Sequence, residues 1–198
     1  SSDLFWYYYP AKLLGVDMIE FAREVPFHEA LRTTFTQFGC EGWGVVFGPG
    51  PNERLSTKST ERWEDDDTLE VRSETTTPYG TLNSAARYTR DEPAWSIEKP
   101  IKDFERDLAA WECIAFGDDL DAFDPKAMVE AREDVGETYL LEAWLGVPFF
   151  DTVAGAFDGG MPDAVAAFFD HESEMERLRE VYIEHMIRKI DVDRKSVV

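Results

Sequence analysis

Apolar and polar positions along the chain alternate between two periods, and the switches between them mark the elements. From Pro26 to Phe38 the positions Phe27, Leu31, Thr34, Phe35 and Phe38 recur at helical spacing, and Gly39 closes that helix. Gly42 to Phe47 is a short apolar run bounded by glycine and proline, which predicts a buried strand of the parallel-sheet kind. Residues from about Thr57 to Thr89 change to a period of two, through Thr68-Leu69-Glu70-Val71-Arg72-Ser73 and again near Thr81-Leu82-Asn83. Thr77-Pro78-Tyr79-Gly80 between them has turn chemistry, so this stretch predicts an antiparallel meander with one solvated face. The dense aromatic run Leu4 to Tyr9, stopped by Pro10, predicts a buried strand end or a groove lining.

Beyond Pro100 the helical period returns. Ile101, Phe104, Leu108, Trp111 and Ala115 form one stripe, with Asp103 placed as N-cap. A second helix is predicted from Pro125 to Asp134, then a buried strand over Thr138 to Trp144. A helix from Phe149 stops at Gly159-Gly160, and Pro162 opens the next as an N1 proline. The last helix, about Glu172 to Ile190, carries Met175, Leu178, Tyr182, Met186 and Ile190 as its apolar stripe. Glu184 and Arg188 form a favourable i,i+4 pair on it.

Strands thus alternate with helices, as in α/β folds built on a parallel sheet. Only two or three buried strands are available, whereas a closed eightfold barrel takes roughly 250 residues. The expected architecture is a single incomplete domain over residues 1–198, a partial (β/α)8 TIM-like barrel with the meander of about residues 57–90 as an insertion. The chain begins at Ser1, so the true N-terminus is expected upstream, and a further strand is expected after Val198.

Charge narrows the function classes. The chain has 41 acidic and 20 basic residues, a net charge of −21. Nucleic acid and anionic membrane surfaces both demand a cationic face, so neither is expected as a partner. Hydrophobic residues make up 43% of the chain, enough for a packed core rather than disorder. Cys40 and Cys113 stand far apart without metal-type neighbours, which fits a reducing, cytoplasmic setting and neither a disulfide framework nor a zinc site.

Several blocks, in order, resemble the uroporphyrinogen decarboxylase (URO-D) superfamily, which also includes cobalamin-dependent methyltransferases. They are Leu13-Leu14-Gly15-Val16-Asp17, Gly39 to Trp43, Thr77-Pro78-Tyr79-Gly80-Thr81-Leu82, Glu98-Lys99-Pro100-Ile101-Lys102, Asp107-Leu108, Trp144 to Phe149, and Gly159-Gly160-Met161-Pro162. The resemblance covers most of the chain and implies the N-terminal half of the family's barrel. It does not carry the decarboxylase residues across. Trp6 to Leu14 has no arginine where the decarboxylases hold a pair, Gly48-Pro49-Gly50 stands where an aspartate belongs, and Ala154 or a neighbour replaces a tyrosine. A polycarboxylate such as uroporphyrinogen needs a bidentate cationic cradle, which this chain lacks.

What the resemblance implies is therefore a methyltransferase-like or divergent enzyme acting on a small-molecule substrate, with this chain alone inactive. Authentic uroporphyrinogen decarboxylation by the full-length protein, and a non-catalytic binding or interaction module, are the alternatives. No cofactor is expected within the chain. Zinc and a corrinoid enter only with the full-length protein, if it is methyltransferase-like, because neither cysteine has a histidine two residues before it. Open parallel edges further predict a dimer, or docking of a missing C-terminal half.

Candidate site residues lie in or just after the two buried strands. Glu142 is the catalytic candidate, since a carboxylate in an apolar strand needs a partner or a function. Trp43, Phe47, Trp144, Phe149 and Asp151 are the substrate-binding candidates, although core packing is the commoner fate of such aromatics. His28, His171 and His185 are spaced too widely for a ligand cluster, and no metal site is expected. Asp119, Asp121 and Glu130 fit calcium-loop positions, but Phe123 and Asp124 break the motif.

Overall fold

The computed structural model describes residues 4–40, 43–46, 51–138 and 140–196. The chain opens on a π-helical turn, Leu4–Tyr8, followed by helices α1 (Tyr9–Leu14), α2 (Met18–Glu24) and α3 (Phe27–Phe38). The aromatic run is thus helical rather than extended. Pro10 sits in the first turn of α1, where a missing N–H costs nothing, so it opens a helix instead of stopping a strand. Asp17 caps α2 by accepting from the amides of Ile19 and Glu20, both at 2.9 Å. Gly39 ends α3 in the left-handed conformation at φ 63°, as its position predicts.

Strand β1 (Trp43–Val46) follows, then an antiparallel meander of β2 (Ser56–Trp63), β3 (Thr68–Thr77), β4 (Gly80–Thr89) and β5 (Trp95–Glu98). The β3–β4 hairpin closes through Pro78 and Tyr79, with Thr77 paired to Gly80. The Thr77 hydroxyl donates to the Gly80 carbonyl and accepts from the Tyr79 amide, each at 3.0 Å. Gly80 has φ 140°, a conformation that favours glycine. The predicted meander is present, and β5 extends it.

Alternation gives that sheet two unlike faces. On one, Leu82 joins Ile101, Leu108, Trp111, Val153 and Leu178 in the main core, beneath α4 (Phe104–Phe116). On the other, Glu70 lies under three guanidinium groups, with Arg72 at 2.6 Å, Arg87 at 3.5 Å and Arg62 at 3.8 Å. It is covered by those side chains rather than by the core, and the hydrogen bond from Arg72 is the main cause of its lowered pKa. Arg90, at the end of β4, pins α2 to the sheet. It pairs with Asp17, donates to the Asp66 carbonyl at 3.0 Å and lies 5.5 Å over the Trp63 ring.

The second half contains a 3₁₀ turn (Leu120–Ala122), α5 (Lys126–Val135), β6 (Leu140–Ala143), α6 (Phe149–Ala156), α7 (Met161–Asp170) and α8 (Glu172–Ser196). Strand β6 pairs with β1 in parallel, Trp43 opposite Leu140 through Val46 opposite Ala143. These are the two parallel strands among the described residues, apart from a single bridge between Ile101 and Phe157.

The expected partial barrel is overturned. The fold is α/β, but its larger sheet is four-stranded, antiparallel and open, and two parallel strands of four residues each do not form a barrel. The physical reason is visible in β6, where exposed and half-buried residues alternate and Leu140 is 64% exposed. A barrel strand would instead be covered on both sides.

Helix α4 is fastened at both ends. Asp103 caps its start, accepting from the Arg106 amide at 3.0 Å as predicted. Asp107, one residue further on, accepts from the amides of Lys102 and Asp103 and from the Arg106 guanidinium, at 2.7–3.0 Å. At the other end, the Asn52 amide donates to the Cys113 carbonyl at 2.9 Å and Arg54 to the Gly117 carbonyl at 2.5 Å. These bonds satisfy carbonyls that a helix terminus leaves open.

Helix α8 runs to Ser196, past the predicted end at Ile190. Met175 and Leu178 are buried as expected, and Tyr182 and Met186 are half-buried. Ile190 is exposed, while His185 is buried. Arg188 reaches Asp121 on the 3₁₀ turn at 3.4 Å.

Candidate functional site

The sequence-derived candidates do not converge. Glu142 pairs with Val45 across the parallel pair but is exposed, so the argument from a carboxylate in an apolar interior does not hold for it. Trp144, just past β6, is also largely exposed. It lines a small recess with Leu120, Phe123, Met128, Leu145 and Lys189. Phe149 belongs to the core, with ring centroids 5.8 Å from Phe168 and 5.5 Å from Tyr182. Asp151 is exposed in the first turn of α6. Trp43 contributes backbone pairing to β1, and Phe47 lies outside the described residues.

The recess has a position worth more than its size. Open sheets with parallel strands hold ligands beyond the carboxyl ends of those strands, where side chains from several connections meet. The recess lies at that end of β6, against the inner side of α8 and the 3₁₀ turn. Its lining is apolar and aromatic except for the Lys189 ammonium, and it is shallow, with a free volume of about 30 Å³.

A second locus was not visible as a site in the sequence. His185 of α8 is 6% exposed and sets Nε2 3.4 Å from an Asp118 carboxylate oxygen. The Phe116 ring lies 5.6 Å away. Burial is the main cause that lowers the imidazole pKa, opposed by Asp118 and reinforced by Lys189 and Arg188. At neutral pH the pair is therefore a neutral imidazole beside a carboxylate. An open cleft of about 350 Å³ lies along the same α4–α8 seam, lined by Arg54, Tyr79, Glu112, Cys113, Phe116 and Val181. Its charged members are already engaged: Arg54 caps α4, and Glu112 holds Arg177 at 2.6 Å. The signal for this pair was weak, because 67 residues separate its two members.

The acidic residues that mimic a calcium loop have other work. Asp119 accepts from the Asp121 amide at 3.1 Å, Asp121 faces Arg188, and Glu130 pairs with Lys126 at 3.7 Å. Among the described residues no group of three or more His, Cys, Asp or Glu side chains could hold a metal ion. Cys113 is buried in α4 and Cys40 is exposed after α3. No helix among the described residues is long and apolar enough to cross a membrane.

Comparison with family models, with curated proteins and with solved structures gives no match.

Proposed function

We propose that this chain is part of a small-molecule enzyme related to the uroporphyrinogen decarboxylase superfamily, of methyl-transfer or divergent type rather than a tetrapyrrole decarboxylase. The observation that carries the reading is the recess at the carboxyl end of β6, beside its parallel partner β1. The ordered sequence blocks add to it: Trp144 to Phe149 begins at that recess, and Gly39 to Trp43 leads into β1. Trp144 would stack on the substrate's apolar part and Lys189 would hold its anionic group. A tetrapyrrole with many carboxylates is a poor match for one ammonium group. Any zinc or corrinoid of a methyl-transfer reaction would be held by residues other than these. A reducing cytoplasm suits the free thiols of Cys40 and Cys113.

The test is ligand binding by the intact chain. Short aliphatic monocarboxylates such as acetate should raise its melting temperature, and Lys189→Met should abolish the response while leaving the unliganded melt unchanged. Release of CO2 from uroporphyrinogen by the protein would overturn the reading, as would binding that ignores Lys189→Met.

An interaction module is the second reading, and one observation favours it: α8 presents an apolar row to solvent on the side away from the core.

A further inference from the structure

Helix α8 carries two apolar stripes. The inner one comprises Met175, Leu178, Tyr182 and Met186, with His185 buried among them. The outer one is Ile183, Ile187 and Ile190, which are 40%, 54% and 42% exposed. Their spacing of four and then three residues puts all three on one helical face. Single exposed apolar residues are ordinary, but an aligned row of three β-branched residues on a solvent-facing helix is the pattern by which helices dock. Helix propensity gives no reason for isoleucine at these positions, since Lys, Gln and Glu form helices better.

The border of the row is chemically one-sided. At 100° per residue, Glu180, Glu184 and Asp191 all fall along the same flank of the isoleucines. All three are exposed. Glu180 is ion-paired with Arg179 at 3.1 Å, so Glu184 and Asp191 carry the negative charge of this flank. The row is therefore an apolar seam with an acidic rail, on a chain whose net charge is −21.

We infer that this face of α8 binds a cationic amphipathic helix, with the partner's apolar stripe against Ile183, Ile187 and Ile190 and its Lys or Arg flank along the acidic rail. Electrostatic complementarity of this kind selects the partner and its orientation more than it adds affinity. A second copy of this chain is the wrong occupant. It would bring another −21 charges, and an antiparallel α8 pair would set the acidic rail against itself. An anionic membrane surface is excluded by the same sign of charge. The inference goes beyond the enzyme reading, rests on the interaction-module reading and uses none of the residues that line the recess.

The experiment titrates the full chain with labelled synthetic helices of about 20 residues, long enough to fold on contact. One has a leucine stripe flanked by lysines, one has the same stripe flanked by glutamates, and one has the lysine composition scrambled to destroy the stripe. The lysine-flanked helix should bind at least about tenfold tighter than either control. The triple variant I183Q/I187Q/I190Q, checked for unchanged circular dichroism, should lose that difference. Glutamine is a good helix former, so the variant keeps α8 intact. E180Q/E184Q/D191N should weaken binding and flatten its salt dependence. Equal binding of the scrambled peptide, or full affinity in the triple glutamine variant, would overturn the inference, leaving only non-specific attraction. A concentration-dependent dimer of the wild type that Ile187→Gln abolishes would assign the seam to a second copy and overturn it as well.

Discussion

Replacing Asp107 with asparagine exchanges one carboxylate oxygen for an NH2 group and should loosen the anchor of α4. The carboxylate is nearly inaccessible to solvent and accepts from two backbone amides, Lys102 and Asp103, while the Arg106 guanidinium grips both of its oxygens. With the Arg106 hydrogen bond as the main cause, its pKa falls from 3.8 to about 2. That shift of nearly two units corresponds to about 2 kcal/mol of folding stability at neutral pH. The asparagine keeps one acceptor oxygen but turns an NH2 group toward donors, so the loss should reach at least that value. For a chain of this size about 2 kcal/mol lowers the melting temperature by roughly 4 to 8 °C.

The pH dependence separates this account from a generic packing defect. A carboxyl whose folded pKa is depressed contributes fully above its unfolded value and loses the contribution as pH falls through the folded one. The window for Asp107 therefore runs from 3.8 down to about 2. Urea denaturation of wild type and Asp107→Asn, followed by circular dichroism, should show the full gap at neutral pH. About half of it should remain near pH 3, from the same linkage relation. Equal stability of the two proteins at neutral pH would refute the reasoning. So would a gap that stays constant down to pH 3, because the loss would then owe nothing to the charge of Asp107.

Gly117 has an ordinary φ of −96°, yet an added Cβ would collide with the Cys113 carbonyl oxygen and the Arg54 guanidinium. Gly117→Ala should therefore cost roughly 1–3 kcal/mol by expelling the Arg54 cap, read as a lower melting temperature; an unchanged melt would show that the cap is dispensable. His185 makes the opposite demand on pH from an exposed histidine. Its folded pKa lies below the ordinary histidine value of 6.5, so stability should decline as pH falls from 6.5 toward that lower value and the buried ring takes up a proton beside Lys189 and Arg188. His185→Gln should flatten this limb in melts between neutral pH and about pH 5.5, and a wild-type melt that stays level there would contradict the burial argument.

What the sequence made legible was local, and what it hid was set by contact between distant segments. Asp103, Gly39 and the Thr77–Gly80 turn act within a few residues of themselves, and each takes the place its chemistry predicts. The two apolar strand runs also pair in parallel, as their composition suggests. Periodicity says nothing about how many strands join them, and there the barrel expectation failed. Glu142 shows the same limit: an apolar run does not reveal whether both of its faces are covered.

Helix α8 states the difficulty most sharply. Its sequence offers two overlapping stripes, Met175-Leu178-Tyr182-Met186 and Ile183-Ile187-Ile190, and hydrophobicity alone ranks the isoleucines as the better core. The fold instead buries His185 and leaves the isoleucines out. The Tyr182 hydroxyl donates to the Val147 carbonyl at 2.8 Å, whereas His185 Nε2 is buried 3.4 Å from Asp118 without a hydrogen bond. The buried imidazole is therefore a cost, offset by the burial of Met175 and Leu178 on the inner side and by the Phe116 ring beside it. The apolar contacts of Met175 and Leu178 with the main core thus decide which side of α8 faces inward, and among the described residues the isoleucine row stays exposed.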